Sequence, residues 1–213
     1  MRNDVRISAN VSIKLYERQS NRGLVLVDER SSHNIMTNTG RHWLVRRLGA
    51  SAFGNPPTPH STETVKWMGF GVGGSLQTNP LYRHSQQEVA TVLSLEDPTP
   101  ISGSPSPGFT YLKQVDVQAE NATNFPDGGI GRTVFVCHIA QDEISFLDAV
   151  SFRSQQSVGT HVPVSEAGLY LSGADPMLLT PTDANRLICY DTFDPIFVTP
   201  TAVLRCEWEL RIV

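Results

Sequence analysis

Residues 194–213 read DPIFVTPTAVLRCEWELRIV, and the last ten alternate in character almost without a fault. Leu204, Cys206, Trp208, Leu210 and Ile212 share one parity; Arg205, Glu207, Glu209 and Arg211 share the other. Successive side chains of a strand point to opposite faces, so this period of two predicts a strand with one face in a core. The mixed charges of the other parity predict a face turned to water or to a partner. Pro195 and Pro200 precede the run, where they shape its approach without removing donors from its ladder. The alternation reaches the last residues, so the terminus is expected to be held in a sheet.

The same periodicity recurs outward from this stretch. Val5, Ile7, Val11, Ile13 and Leu15 share a parity, with Ala9 between them, and predict a first strand over 5–16. The polar turn at 19–23 leads into GLVLVD at 23–28, and the two runs read as a hairpin. A helix is expected near residues 39–48, where Asn38 or Thr39 would cap the start and Arg46 and Arg47 would suit the negative end. Gly49 follows as a helix-ending residue, and Trp43, Leu44 and Leu48 are placed to face the sheet. Further strands are expected at 65–74, 89–95, 111–119, 131–140, 143–152, 164–171 and 185–192. Roughly nine to eleven strands and one helix argue for a mainly β chain, an antiparallel β-sandwich of jelly-roll type in one domain over 1–213. Pro, Ser, Thr and Gly crowd into 51–64 and 97–108, which read as extended loops, and an N-terminal segment at 1–4 could dock on a neighbour.

Composition excludes several classes. The chain has 213 residues, 18% charged, with 16 glycines and 14 prolines, a balance that favours sheets and turns. A net charge of −4 gives no electrostatic footprint for nucleic acid. No apolar run approaches the ~20 residues of a membrane helix, and the start lacks the apolar core of a secretion signal, so folding in a cytoplasm is expected. Cys137, Cys189 and Cys206 lie far apart without CxxC spacing and read as buried thiols rather than a zinc or redox pair.

Candidate chemistry is thin. His33, His42, His60, His84, His138 and His161 show no ligand spacing, and no serine lies in a GxSxG elbow. The GFGVGG run at 69–74 lacks the lysine and hydroxyl of a phosphate loop and reads as close backbone packing plus a positive-φ turn. Asp142, Glu143 and Asp148 are near in sequence only, and Arg46–Arg47 reads as a solvated helix end. No catalytic, cofactor or metal residue is assigned, and the expectation is a protein that is not an enzyme.

Taken in order, four stretches resemble a known pattern: NIMTNTG (34–40), VKWMGFGVGG followed by NPL (65–81), VSEAGLY (164–170), and RLICYDTFDPIF (186–197) with the alternating terminal run. Together they resemble a family of structural proteins in the virions of tailed bacteriophages. Ala167 stands where a branched residue is usual, Tyr190–Asp191 stand where a basic residue is common, and the loops at 51–64 and 97–108 are this chain's own. The resemblance implies a β-sandwich without catalytic residues, located in the virion and assembled in the host cytoplasm. It also implies a homo-oligomer, ring or trimer-based, with other virion proteins as partners in the neck, tail or baseplate; neither nucleic acid nor membrane is expected. A capsid decoration protein is the structural alternative. A carbohydrate-binding module is the other, with Trp43, Trp67, Tyr82 or Tyr111 as sugar platforms.

Overall fold

A computed structural model of the chain describes residues 7–49, 63–76, 79–83, 94–99, 101–102, 109–120, 131–140, 143, 162–177 and 186–212. Chain order gives β1 (Ile7–Gln19), β2 (Gly23–His33), β3 (Ile35–Met36), α1 (Asn38–Gly49), β4 (Val65–Gly71), β5 (Ser75–Leu76), β6 (Asn79–Arg83), β7 (Ile101–Ser102), β8 (Phe109–Thr110), β9 (Leu112–Gln114), β10 (Val117–Glu120), β11 (Gly131–Ile139), β12 (Val162–Leu171), β13 (Leu187–Val198) and β14 (Ala202–Ile212). Two five-stranded antiparallel sheets form a sandwich: β10-β11-β14-β1-β2 and β3-β13-β12-β4-β9. The pairs β5-β6 and β7-β8 are small separate ladders.

The terminal strand behaves as its alternation predicts. β14 is central in the first sheet, between β1 and β11, and Trp208 lies opposite Val11 on one side and Phe135 on the other. Leu204, Cys206 and Trp208 are fully buried between the sheets, with Val11, Ile13 and Leu15 of β1 beside them. The facing sheet contributes Met68, Phe70, Ala167, Leu169, Cys189 and Ile196 to the same core. All three cysteines are buried free thiols. Burial pushes the Cys137 thiol up to about 12 and likewise raises Cys189 and Cys206 well above the ordinary thiol value, which suits their role as small apolar groups.

The first sheet keeps its outer face in water, whereas the second is covered on both. Every described residue of β12 is buried, an apolar run from Val162 to Leu171 interrupted by Ser165 and Glu166. A second apolar cluster of Leu95, Leu112, Tyr170, Ala174, Leu187 and Tyr190 lies on its outer side, with Trp67 packed against it. Helix α1 packs against β13 and the main core through half-buried Trp43 and Leu44.

Three expectations change. The helix cap is Thr37, whose hydroxyl accepts the Gly40 amide (3.0 Å) and donates to Leu187 O (2.6 Å), so neither Asn38 nor Thr39 takes that place. The stretch at 97–108 does not begin as an exposed loop: Asp97, Thr99 and Ile101 are buried, and β7 pairs with β8. Pro98 bridges Gly71, the Val72 amide donates to Asp97 O (2.9 Å) and the Thr99 amide to Phe70 O (2.7 Å), so this segment is laid along β4. The positive φ belongs to Gly23, at 74°, in the β1–β2 turn, and not to the GFGVGG run. Residues 1–6, 51–62, 103–108 and, apart from Glu143, the expected strand at 143–152 lie outside the described residues, as does 89–93.

Trp208 fills the centre of the core, so Trp208→Ala should lower unfolding free energy by about 3–5 kcal/mol in urea denaturation. A loss below about 1 kcal/mol would mean that this ring does not face the core.

Candidate functional site

The most concentrated polar chemistry lies around Glu166, a carboxylate with no exposed surface in the middle of β12. Its Oε1 accepts the amides of Asp97 (2.8 Å) and Gly73 (3.1 Å). Its Oε2 accepts the Glu96 amide (2.9 Å) and the Tyr190 hydroxyl (3.0 Å). Burial pushes the carboxyl above its ordinary range, while the Glu96 and Asp97 amides, the Tyr190 hydroxyl and the Gly73 amide pull it back. Burial and the neighbouring Glu166 push the Tyr190 phenol far up, so it stays a neutral donor. Of the four donors only the hydroxyl can turn round to accept a proton.

The GFGVGG run gains its meaning here. A side chain on Gly71 would collide with Glu166 Oε1 and the Asp97 carbonyl, and one on Gly73 would lie 2.6 Å from Glu96 Cβ and 2.7 Å from Glu166 Oε1. The glycines let the 94–99 segment and the carboxylate approach the same backbone. A glycine-rich run does hold an anion, but the anion belongs to the chain itself. With no surface open to solvent, Glu166 fastens two segments to the sheet and offers no acid or base to an outside substrate.

The other motif residues make joints of the same kind. The Asn34 side-chain amide turns its oxygen to the indole N–H of Trp208 and its nitrogen to Ala9 O (3.0 Å). Thr37 ties the helix start to β13, where a side chain on Gly40 would strike the Ile188 carbonyl. Tyr190 reaches Glu166, and buried Asp191 accepts the Ser32 hydroxyl from β2 across the sandwich. Ala167 faces the core between the sheets.

The residues read from sequence as candidates for chemistry are scattered. His33 meets Asn10 (2.6 Å), His138 meets Asp116 (3.0 Å), and His42 is exposed on α1. Glu143 pairs with Lys113, while His60, His84, His161, Asp142 and Asp148 lie outside the described residues. Among the described residues no three His, Cys, Asp or Glu side chains gather as a set of metal ligands. Of the aromatic platforms, Trp43 and Trp67 are engaged within the chain. The Trp43 indole donates to Glu63 O (2.9 Å); Trp67 packs on the second cluster with the Lys66 ammonium 4.6 Å from its ring centre. Tyr111 is half-buried, and the side chain of Tyr82 lies outside the description.

A groove of about 330 Å³, which the sequence reading did not single out, opens on the outer face of the first sheet. Asn10, Ser12, Ser31, His33, Arg132, Glu207 and Glu209 line it with hydrogen-bonding groups. Its carboxylates are already tied: Glu207 to Arg205 (2.6 Å) and Lys14 (4.0 Å), Glu209 to Arg132 (2.9 Å) and Arg211. The Arg211 bond first, then the Arg132 charge, hold the Glu209 carboxyl below its ordinary value against its partial burial. Outward parity in four strands was the available signal, and such residues read as solvated in any single strand.

Two measurements check these assignments. Glu166→Gln turns a donor toward an amide that needs an acceptor and should cost about 1–3 kcal/mol, with Glu166→Leu costing more; equal stability of all three would mean that the amides are satisfied elsewhere. Glu209 has a lowered carboxyl, so its stabilisation is present above its unfolded value of 4.5 and fades as pH falls through the lower folded one. Glu209→Gln should therefore cost less than about 1 kcal/mol at neutral pH, a difference that closes in acid titration of thermal stability.

Comparison of the chain with protein-family models, with curated proteins and with solved structures returns no match, so its functional reading rests on its own residues.

Proposed function

We propose that this chain is a non-enzymatic structural component of a tailed-bacteriophage particle, assembling with copies of itself and with neighbouring virion proteins in the neck, tail or baseplate region. One observation supports it above the others. The stretches whose order resembles that family meet in space: Asn34 with Trp208, Thr37 with Leu187 and Ile188, Gly73 with Glu166, and Glu166 with Tyr190. They act together as the joints of one sandwich, which is how a resemblance spread over most of a chain would arise from a shared architecture. The buried, hydrogen-bonded joints make a stiff block, and the first sheet keeps a broad polar face free for neighbours. Presenting a fixed surface to many copies is the task of a particle component, for which closed symmetric rings are the usual arrangement.

Quantitative mass spectrometry of purified virions, referenced to the major capsid protein, tests this reading. A few to a few dozen copies per particle is the expected result. Several hundred would make the chain a capsid decoration protein. Absence from the particle would overturn the virion reading, and a glycan array would then test the polar groove as a sugar site.

A further inference from the structure

One end of the open sheet departs from its own pattern. Across β2, β1 and β14 the outer-face rows are polar, with a valine at the β11 end of two of them: Glu29–Lys14–Arg205–His138, then Ser31–Ser12–Glu207–Val136, then His33–Asn10–Glu209–Val134. Beside the β1–β2 turn the same face becomes apolar, with Leu26 opposite Tyr16, Tyr16 opposite Val203, and Leu24 two residues before Leu26. Leu24 is 52% exposed and Leu26 and Val27 are each 45% exposed. β2 is also the edge of its sheet, and among the described residues no strand pairs with its outer side. Natural sheets blunt such edges or pair them, because an uncharged apolar edge is a template for another chain. The blunting device here is a bulge at Val27, where Asp28 faces Leu15 and Leu26 faces Tyr16; it shortens the regular edge to Gly23–Leu26.

The charges at the two ends of that edge select its partner. Arg18 and Arg22 stand at the turn; beyond the bulge stand Asp28, which pairs with Arg30 of its own strand, and Glu29, which pairs with Lys14 (3.7 Å), both pairs being partly exposed and open to exchange. A second β2 laid antiparallel, with Val25 against its own counterpart, puts Leu24 against Leu26 in both directions on the same face of the sheet. It also brings Arg22 of each copy to Asp28 of the other, whereas a parallel arrangement would set like charges side by side. The segment is complementary to itself in one direction only.

We propose that the β2 edge at Gly23–Asp28 is a contact between two copies of this chain, joined antiparallel about a two-fold axis through Val25. The contact rests on the reading that the chain assembles with itself, and it names the surface used. The bulge keeps the backbone ladder short, so the four leucines carry most of the contact and the association is weak in solution, of the kind that becomes effective when many copies are held together.

Sedimentation velocity of the full chain over the micromolar to high-micromolar range tests it. Reversible dimers are expected, abolished by the Leu24→Lys/Leu26→Lys double variant, each variant first shown to melt like the parent. Arg22→Glu and Asp28→Lys should each weaken the dimer at least about tenfold, and an equimolar mixture of the two should restore it as a heterodimer, because both junctions then pair opposite charges. A parent that stays monomeric, a leucine double variant that associates like the parent, or a mixture no tighter than its components would each overturn the contact. A monomeric chain still found in mature particles would sink this contact alone. A dimer with no copy in the particles would sink the virion reading and leave the contact standing.

Discussion

A carboxylate without access to water must find its donors inside the protein, and that requirement organises the covered side of this sandwich. Glu166 accepts bonds from Gly73, Glu96, Asp97 and Tyr190, which come from three different parts of the chain. Displacing either segment would leave a buried oxygen or amide unpaired, so the β4 turn and the 94–99 segment are locked to β12 together. Glycines make the geometry possible. A side chain on Gly168 would lie 2.7 Å from Leu187 Cδ1 and 2.9 Å from Tyr170 Cε2, and one on Gly69 would lie 2.8 Å from Leu112 Cδ2. The flat strip left by these two residues receives the Tyr170 ring and the Leu95 side chain. The outcome is an antiparallel strand apolar on both faces, a pattern usually met in the middle of covered parallel sheets.

The two sheets therefore present different surfaces. The second is covered by the 94–99 segment and the cluster around Tyr170. The first exposes a ladder of ion pairs centred on Lys14, Glu207 and Glu209, each weak alone in water. Leu24, Leu26 and Val27 add exposed apolar surface at the hairpin tip, on an edge strand. On the proposed reading, neighbouring proteins would meet the chain through this first sheet, its open side.

Much of the fold was legible in local pattern. The β14 faces, the β1–β2 hairpin with its glycine turn, the helix and the buried cysteines all follow from side-chain parity or turn chemistry within a short window. The failures have equally definite causes. Thr37, Asn38 and Thr39 are all competent caps, and the choice among them was made by the Leu187 and Ile188 carbonyls of a strand 150 residues away. The proline-rich stretch after Asp97 has the composition of a loop, yet Gly71 and Glu166 draw its start into the interior. The 69–74 run could be cleared of a phosphate role by the residues that it lacks, but nothing local revealed that its amide serves Glu166.

What the sequence determined by itself is which segments are strands and which of their faces are apolar, because the period of a strand is written in adjacent residues. Tertiary structure alone decided what covers the second sheet, where the Glu166 carboxylate finds its donors and which outward residues converge into a groove. Those partners lie 69 to 93 positions apart for the three amides, and hydrogen bonds at that range depend on how the strands are ordered rather than on any local pattern.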